Sequence, residues 1–281
     1  MDESYNNDPE FIAFMNLQQN KSKATVKQYR SNYNKLRRTL EKPIHETAQD
    51  TCINAINAGF DNPNTQAALL NVAFLVRSKC YGYPVEVLLE QRKKNKETIQ
   101  EALKQVNQFI VLPSLEEFDA HIESLYADEN WVPYVINHLI RYHYVRNKDL
   151  MFQWATAQRD ITDTSKNYML WERKALRMTW IRNDYKTAHK YGQKRVVLDN
   201  ERLIMALKKG QTNNVWPLAN DETKIGYHVQ KHTFRQLGEG SCMKIIVNHY
   251  KHDINELTRI SKSRGTDLPV LLTSYNIQYT E

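Results

Sequence analysis

Apolar residues recur at helical spacing through most of the first hundred residues. The clearest stripe alternates steps of three and four residues and comprises Val26, Tyr29, Tyr33, Leu36 and Leu40. This spacing predicts an amphipathic helix, with Ser22 or Thr25 available as its N-cap. Pro43 follows the stripe, and proline cannot continue a helix, so the helix is expected to end before it.

Four other segments of this region have helical patterns: residues 10–20, 47–58, 65–80 and 85–109. A disordered lead-in is expected at residues 1–9, which are polar and acidic. The apolar run at 110–113 ends in a proline and predicts a boundary. Residues 1–109 are therefore interpreted as an N-terminal helical domain and residues 110–281 as a second domain.

The second domain begins with a capping box, in which Ser114 is the N-cap and Glu117 is at N3. Helices are expected after it and over 131–144, and further helices near the C-terminus. Between them, aromatic and apolar runs predict a small antiparallel sheet. Its strands are placed at 168–171 and 176–182, with a third beginning at 184–187 and a return at 195–198. The predicted fold class is α+β, mostly α.

Bulk properties narrow the functional classes. The chain has 281 residues, a net charge of +7 and three cysteines, at widely separated positions. No run approaches the roughly 20 apolar residues that cross a bilayer, so no membrane association is predicted. The acidic start differs from a signal peptide, and the cysteines form neither a disulfide framework nor a zinc spacing. An intracellular protein without metal or cofactor is expected.

The positive charge is concentrated in the first predicted amphipathic helix. Eight Lys or Arg lie between residues 21 and 42, against one acidic residue, Glu41. Two interpretations remain open: a solvated helix face, or a helix that lies along nucleic-acid phosphates. The candidate DNA-binding residues are Lys23, Lys27, Arg30, Arg37 and Arg38.

The C-terminal fifty residues carry the candidate chemistry. His232 and Arg235 form an H-x-x-R arrangement, and on a helix these two positions share one face. Both side chains would then point at one anion. Tyr275 follows Thr266 by nine residues, and its hydroxyl is a candidate nucleophile.

This ordered set resembles the C-terminal end of the tyrosine recombinases, the phage-integrase family. That family has H-x-x-R, then a Gly-His or Gly-Trp pair, then the nucleophilic tyrosine nine residues after the pair. Gly265 and Thr266 stand at the position of the pair. The resemblance implies an N-terminal core-binding domain that clamps DNA and a C-terminal catalytic domain.

Two upstream residues extend the resemblance. Arg146 follows an apolar helix and has Asp149 and Leu150 after it, as the first catalytic arginine of the family does. Lys186 lies on a predicted hairpin, where the family carries its catalytic lysine. Alternatives stay open at both positions: Arg141 for the arginine, and Lys190, Lys194 or Arg182 for the lysine. The non-catalytic alternative for Arg146 is a solvent-exposed ion pair with Asp149.

The resemblance implies a role for each residue. Arg146 and Arg235 would neutralise phosphate oxygens, and Tyr275 would attack to leave a 3′-phosphotyrosine. His232 would act as general base and Lys186 as general acid, with no metal or ATP required. Thr266 replaces the histidine or tryptophan of the family, and Arg264 or His252 is the candidate to compensate. Tyr279 is a second possible nucleophile, although its spacing fits less well.

The implied function is site-specific DNA recombination or integration. The implied partners are double-stranded DNA and further copies of the chain, as a tetramer in this family. The expected location is wherever the DNA lies, which is host cytoplasm or nucleus if the gene is viral. One alternative is a catalytically weak or inactive DNA-binding relative in viral genome processing or packaging. Another is a type IB topoisomerase-like enzyme.

Overall fold

A computed structural model of the chain describes residues 5–108, 111–185, 187–220 and 224–275. The chain divides into two compact units, Met1–Phe109 and Ile110–Glu281. This division falls at the boundary suggested by the apolar run before Pro113. The functional roles assigned to the two parts stay predictions.

The first unit is helical throughout its described residues. Local sequence sets the helix ends: Asp8 caps α1, which has Pro9 at its first position, Ser22 caps α2, and Asn62 caps α4. The α-helices are α1 (Pro9–Asn16), α2 (Lys23–Leu40), α3 (Gln49–Gly59), α4 (Pro63–Leu75) and α5 (Glu86–Gln108). A π-helical turn, Val76–Cys80, continues α4.

The expectation of a disordered lead-in is wrong for residues 5–9. The carboxylate of Glu10 is buried and accepts hydrogen bonds from the Tyr33 hydroxyl at 2.8 Å and from the backbone N–H groups of Ile44 and His45 at 3.0 and 2.9 Å. This network joins α1 to α2 and to the chain after it. The segment before α1 is held by separate bonds, from Arg30 to Asn6 at 3.1 Å and from Arg37 to Asp8 at 3.3 Å. Residues 1–4 lie outside the described residues.

The second unit contains the remaining helices and the sheet. The capping box at Ser114 and Glu117 is confirmed. The α-helices are α6 (Leu115–Ala127), α7 (Trp131–His143), α8 (Ala188–Tyr191), α9 (Glu201–Lys209), α10 (Ile225–His232), α11 (Gly238–His249), α12 (Ile254–Arg264) and α13 (Leu268–Tyr275). No helix within the described ranges is long and apolar enough to cross a membrane.

The predicted fold class is confirmed: the chain is mostly helical with one small sheet. The strands are β1 (Phe152–Ala155), β2 (Asn167–Glu172), β3 (Arg177–Arg182) and β4 (Lys194–Leu198). They lie in the order β1-β2-β3-β4. The sheet is mixed rather than wholly antiparallel, because the unforeseen β1 pairs in parallel with β2.

No strand begins at 184–187 in the described part of that segment. Asp184 and Tyr185 form a bend, and Thr187 leads into the short helix α8. Strands β3 and β4 pair antiparallel with Arg182 opposite Lys194. The loop between them therefore starts and ends at the same end of the two strands. Lys194, at the end of this loop, contacts the carbonyl of Lys262 in α12.

Candidate active site

The turn that joins α12 to α13 forms one wall of the candidate site. Gly265 ends α12 with a φ of 58°, in the left-handed region that favours glycine. A Cβ atom there would lie 2.2 Å from Oγ1 of Thr187. The β3–β4 loop thus packs directly on this turn, and the turn has room for glycine alone.

Arg146 and Thr266 are in contact. Nη2 of Arg146 donates to Oγ1 of Thr266 at 2.8 Å, and Nη1 donates to the backbone carbonyl of Arg264. The backbone N–H of Arg146 donates to Asp149 at 2.8 Å. Burial, followed by the nearby Arg264 charge, lowers the pKa of Arg146. The spacing of Arg146 and Asp149 therefore reflects a backbone contact rather than a surface ion pair between their side chains.

Arg264 is deeply buried, with 3% of its side chain exposed. Nη1 donates to the carbonyls of Tyr144 and Val145 at 3.1 and 3.0 Å, and Nη2 donates to Glu239 at 2.7 Å. These contacts join the C-terminus of α12 to the chain after α7 and to the first turn of α11. An arginine anchored in this way has little freedom to change its position.

The Tyr275 hydroxyl lies on the same guanidinium. It accepts a hydrogen bond from Nη2 of Arg264 at 2.5 Å, and the Arg264 guanidinium lies 5.3 Å from the tyrosine ring centroid. Burial raises the pKa of Tyr275, Glu239 raises it further, and Arg264 and Arg146 oppose the increase. The structure therefore brings Arg146, Thr266 and Tyr275 together, with Arg264 as the common contact.

Other charged side chains approach the cluster from the sheet. Arg182 forms a buried ion pair with Asp149 at 2.7 Å. Nζ of Lys194 donates to the carbonyl of Lys262 at 3.3 Å, and burial, then Arg182, with a smaller effect of Arg146, lowers its pKa. Counted with Arg146, Arg264 and Glu239, these groups make four formal positive charges against two negative ones. Such a site attracts an anion.

Lys186 lies outside the described residues, so its predicted role stays a prediction. Thr187, which is described, packs on Gly265. Of the alternatives, Lys194 has a pKa that the nearby charge of Arg146 helps to lower. Arg182 forms its ion pair with Asp149. The first alternative for the arginine, Arg141, pairs with Asp119 at 2.6 Å instead.

The prediction that His232 and Arg235 share one helical face is wrong. Helix α10 ends at His232, and Arg235 follows in a 3-10 turn with a φ of 48°. The buried side chain of Asn137 explains the break: it donates to the carbonyl of His232 at 2.8 Å and accepts from the N–H of Phe234 at 2.9 Å. Both bonds fix an extended residue, Thr233, where a helix would continue.

Neither residue of the pair contacts the cluster around Arg264 in the described structure. Arg235 is 55% exposed and donates to Glu117 at 2.6 Å. The His232 imidazole makes no hydrogen bond to any described residue, and burial, followed by Lys231 and His228, lowers its pKa. This lowered pKa favours the neutral imidazole, which does not touch Tyr275.

The cations of α2 do not form one open face. Arg37 is 11% exposed and lies 3.3 Å from Asp8 and 3.8 Å from Glu10. Arg30 donates to Asn6 at 3.1 Å, whereas Lys27 is exposed. Nε of Arg38 donates to the carbonyl of Asn34 at 3.2 Å, and Lys23 lies in the first turn of α2. Arg37, and in part Arg30, contact the segment before α1, and the predicted role of these cations in DNA binding stays a prediction.

Sequence reasoning gave Arg264 only as a substitute for Thr266 and did not find Glu239. A signal for Arg264 was present. Leu257, Ile260, Ser261 and Arg264 follow the spacing i, i+3, i+4 and i+7, which defines one helix face. An arginine on an otherwise buried face must find polar partners, so its position on this stripe indicates a buried network. No comparable signal exists for Glu239, whose partner is remote in sequence.

Among the described residues, no group of His, Cys, Asp and Glu could hold a metal ion. The positive charge of the cluster is supplied by side chains. Guanidinium groups bind phosphate oxygens through paired N–H donors and stay charged at neutral pH.

Comparisons with known proteins include a structural similarity. No family model and no curated protein sequence matches the chain. A crystal structure of XerA recombinase has a TM-score of 0.37 and 12% sequence identity, and the match covers 96% of this chain and 94% of that chain. A similarity this weak does not establish a shared fold, and a functional assignment depends on the side-chain geometry.

Proposed function

We propose that the chain cuts and rejoins DNA strands through a phosphotyrosine intermediate on Tyr275, in the manner of a tyrosine recombinase. The observation that supports this most strongly is the contact of the Tyr275 hydroxyl with the arginine cluster of Arg146 and Arg264. In this cluster, the candidate nucleophile lies together with two guanidinium groups of the kind that binds phosphate oxygens. Thr266 contributes a hydroxyl to the same cluster.

In the proposed reaction, the Tyr275 oxygen forms a bond to the scissile phosphorus. The bond from phosphorus to the 5′-oxygen breaks, which leaves a 3′-phosphotyrosine and a free 5′-hydroxyl. The phenolic proton goes to a base, for which His232 is the candidate, and the departing 5′-oxygen takes a proton from Lys186 or Lys194. Attack of a 5′-hydroxyl on the phosphotyrosine reverses these steps and reseals the strand, so neither ATP nor a metal ion is needed.

Arg146 and Arg264 would supply the electrostatic part of catalysis. Phosphoryl transfer depends mainly on positioning and on stabilisation of charge on the equatorial oxygens. Nη2 of Arg146 now donates to Thr266, and this contact can be exchanged for a phosphate oxygen with little rearrangement. Arg235 would have to leave Glu117 to join them, a surface ion pair whose loss costs under about 1 kcal/mol.

The domain roles follow from the same proposal. The unit Met1–Phe109 would act as the core-binding domain and Ile110–Glu281 as the catalytic domain. Double-stranded DNA would be the partner, and strand exchange would require self-association on it. Lys23, Lys27 and Arg38 are the candidate phosphate contacts of α2.

Covalent trapping tests the proposal. The protein is mixed with a pool of nicked duplex oligonucleotides, quenched in SDS and separated by gel electrophoresis. We expect a protein–DNA adduct that Tyr275→Phe abolishes and Tyr279→Phe leaves intact. An adduct that survives Tyr275→Phe would move the nucleophile elsewhere. Absence of any adduct from a broad pool, despite salt-dependent DNA binding, would contradict strand transfer.

A second candidate is a DNA-binding relative without strand-transfer activity. The observation in its favour is that His232 and Arg235, two members of the predicted catalytic set, lie away from Tyr275 in the described structure. A protein of this kind would bind duplex DNA with unchanged affinity after Tyr275→Phe and would never form the adduct. The same gel therefore separates the two candidates.

A further inference from the structure

One nitrogen of Arg264 is shared between a carboxylate and the candidate nucleophile. Nη2 donates both to Oε1 of Glu239 at 2.7 Å and to the Tyr275 hydroxyl at 2.5 Å. Glu239 has 13% of its side chain exposed, so little water competes for its charge. The guanidinium is fixed on its other side by the carbonyls of Tyr144 and Val145.

We propose that Arg264 is a further catalytic residue, which touches the attacking oxygen of Tyr275, and that Glu239 is its positioning residue. The inference rests on the proposed function, since it concerns the nucleophile of that reaction. Arg264 donates a charge-assisted hydrogen bond to the hydroxyl, and this bond strengthens when the oxygen becomes an anion. Glu239 orients the guanidinium but weakens its effect by sharing the same nitrogen.

The two residues act on the acidity of Tyr275 in opposite directions. Ionisation creates a negative charge on the oxygen, so a neighbouring cation favours it and a neighbouring anion opposes it. Three elements contribute charged groups: Arg264 from α12, Glu239 from α11 and Arg146 from the segment after α7. Burial raises the pKa of Tyr275 most, Arg264 and Arg146 lower it, and Glu239 raises it.

Entry of a substrate phosphate would change this balance. The phosphate brings a negative charge between Arg146 and Arg264, and both guanidinium groups gain an anionic partner. A phosphate that displaces the Glu239 carboxylate from Nη2 leaves Arg264 bound to the phosphate and to the nucleophile together. The positions of the two donors would then favour attack only when the substrate is bound.

Opposite effects of two substitutions give a test that does not depend on DNA. 3-Fluorotyrosine is placed at position 275 of the full chain, and its ionisation is followed by fluorine NMR between neutral and alkaline pH. We expect Glu239→Gln to move the midpoint to lower pH and Arg264→Gln to move it to higher pH. Arg264→Lys, which keeps the charge, should move it less than Arg264→Gln. Glu123→Gln, at a surface ion pair with Arg202, should leave it unchanged.

Shifts in the same direction, or no shift in a folded Glu239→Gln protein, would overturn the inference. Glu239→Gln and Arg264→Lys keep the test decisive if Arg264→Gln does not fold. Where wild type forms the DNA adduct, Glu239→Gln should raise its rate of formation roughly threefold to tenfold below the midpoint. A wild type without adduct but with the opposite fluorine shifts would contradict the proposed function and leave the Arg264–Glu239 arrangement supported.

Discussion

Arg264 and Arg235 offer the same guanidinium in two different settings. Arg264 is 3% exposed and donates to two carbonyls, a carboxylate and a hydroxyl, whereas Arg235 is 55% exposed and has one carboxylate partner. A buried guanidinium whose two terminal nitrogens are hydrogen-bonded presents its donors in a fixed geometry. An exposed one can reach a substrate, but it must lose side-chain entropy to do so. Under the proposed function, the candidate site would thus combine Arg264, which is already fixed, with Arg235, which would have to move toward the substrate.

The largest expected effect is on the free energy of unfolding, and it comes from removing the charge of Arg264. Arg264→Met leaves Glu239 without its buried partner and two backbone carbonyls without donors, so it should lower the free energy of unfolding by about 3–5 kcal/mol. Arg235→Met is the matched control and should cost less than about 1 kcal/mol. Urea denaturation of both variants measures the difference. Similar losses of stability in Arg264→Met and Arg235→Met would contradict the distinction between the buried and the exposed arginine.

A smaller effect is expected at the contact between Arg146 and Thr266. Thr266→Val keeps the shape of the side chain but removes the acceptor of the 2.8 Å bond, and it should cost about 1–2 kcal/mol. Thr266→Ser keeps the hydroxyl and should restore most of that stability. Thermal unfolding of the three proteins is the measurement. An unchanged Thr266→Val protein would show that Arg146 is held by the Arg264 carbonyl alone.

The smallest expected effect is on DNA affinity, and it comes from comparing exposed and engaged cations of α2. Lys27 is exposed, and Lys27→Gln should reduce the slope of log affinity against log salt by about 1 without affecting stability. Arg37 is engaged with Asp8 and Glu10, so Arg37→Gln should lower the melting temperature instead. Fluorescence anisotropy with a labelled duplex at several salt concentrations measures the slope. A slope unchanged by Lys27→Gln would exclude this residue from the DNA contact.

Local patterns predicted the helices well because caps and apolar stripes are local signals. The capping box at Ser114 and the left-handed glycine at 265 are read from neighbouring residues, and both are present. Strand β1 was missed because four residues carry little periodicity, and its partner lies beyond a turn. The fold class was therefore accessible, but the mixed pairing of the sheet was not.

The order and spacing of residues in the sequence supplied the candidates for the site, but not all of the contacts between them. Arg146, Thr266 and Tyr275 meet through Arg264, and their predicted catalytic roles stay predictions. His232 and Arg235 failed as a helical pair because Asn137, nearly a hundred residues earlier, binds the backbone between them. Long-range hydrogen bonds of this type leave no periodic trace, and a single sequence cannot reveal them.

Gly265 gives the site an unusual mutational profile. Its left-handed backbone and its contact with Thr187 exclude any Cβ atom, while its neighbour Thr266 needs only a hydroxyl acceptor. In a saturation library, position 265 would accept glycine alone and position 266 would accept serine. The two neighbouring positions would then differ sharply in the substitutions that they tolerate, so residue 266 can change without disturbing the turn that carries it.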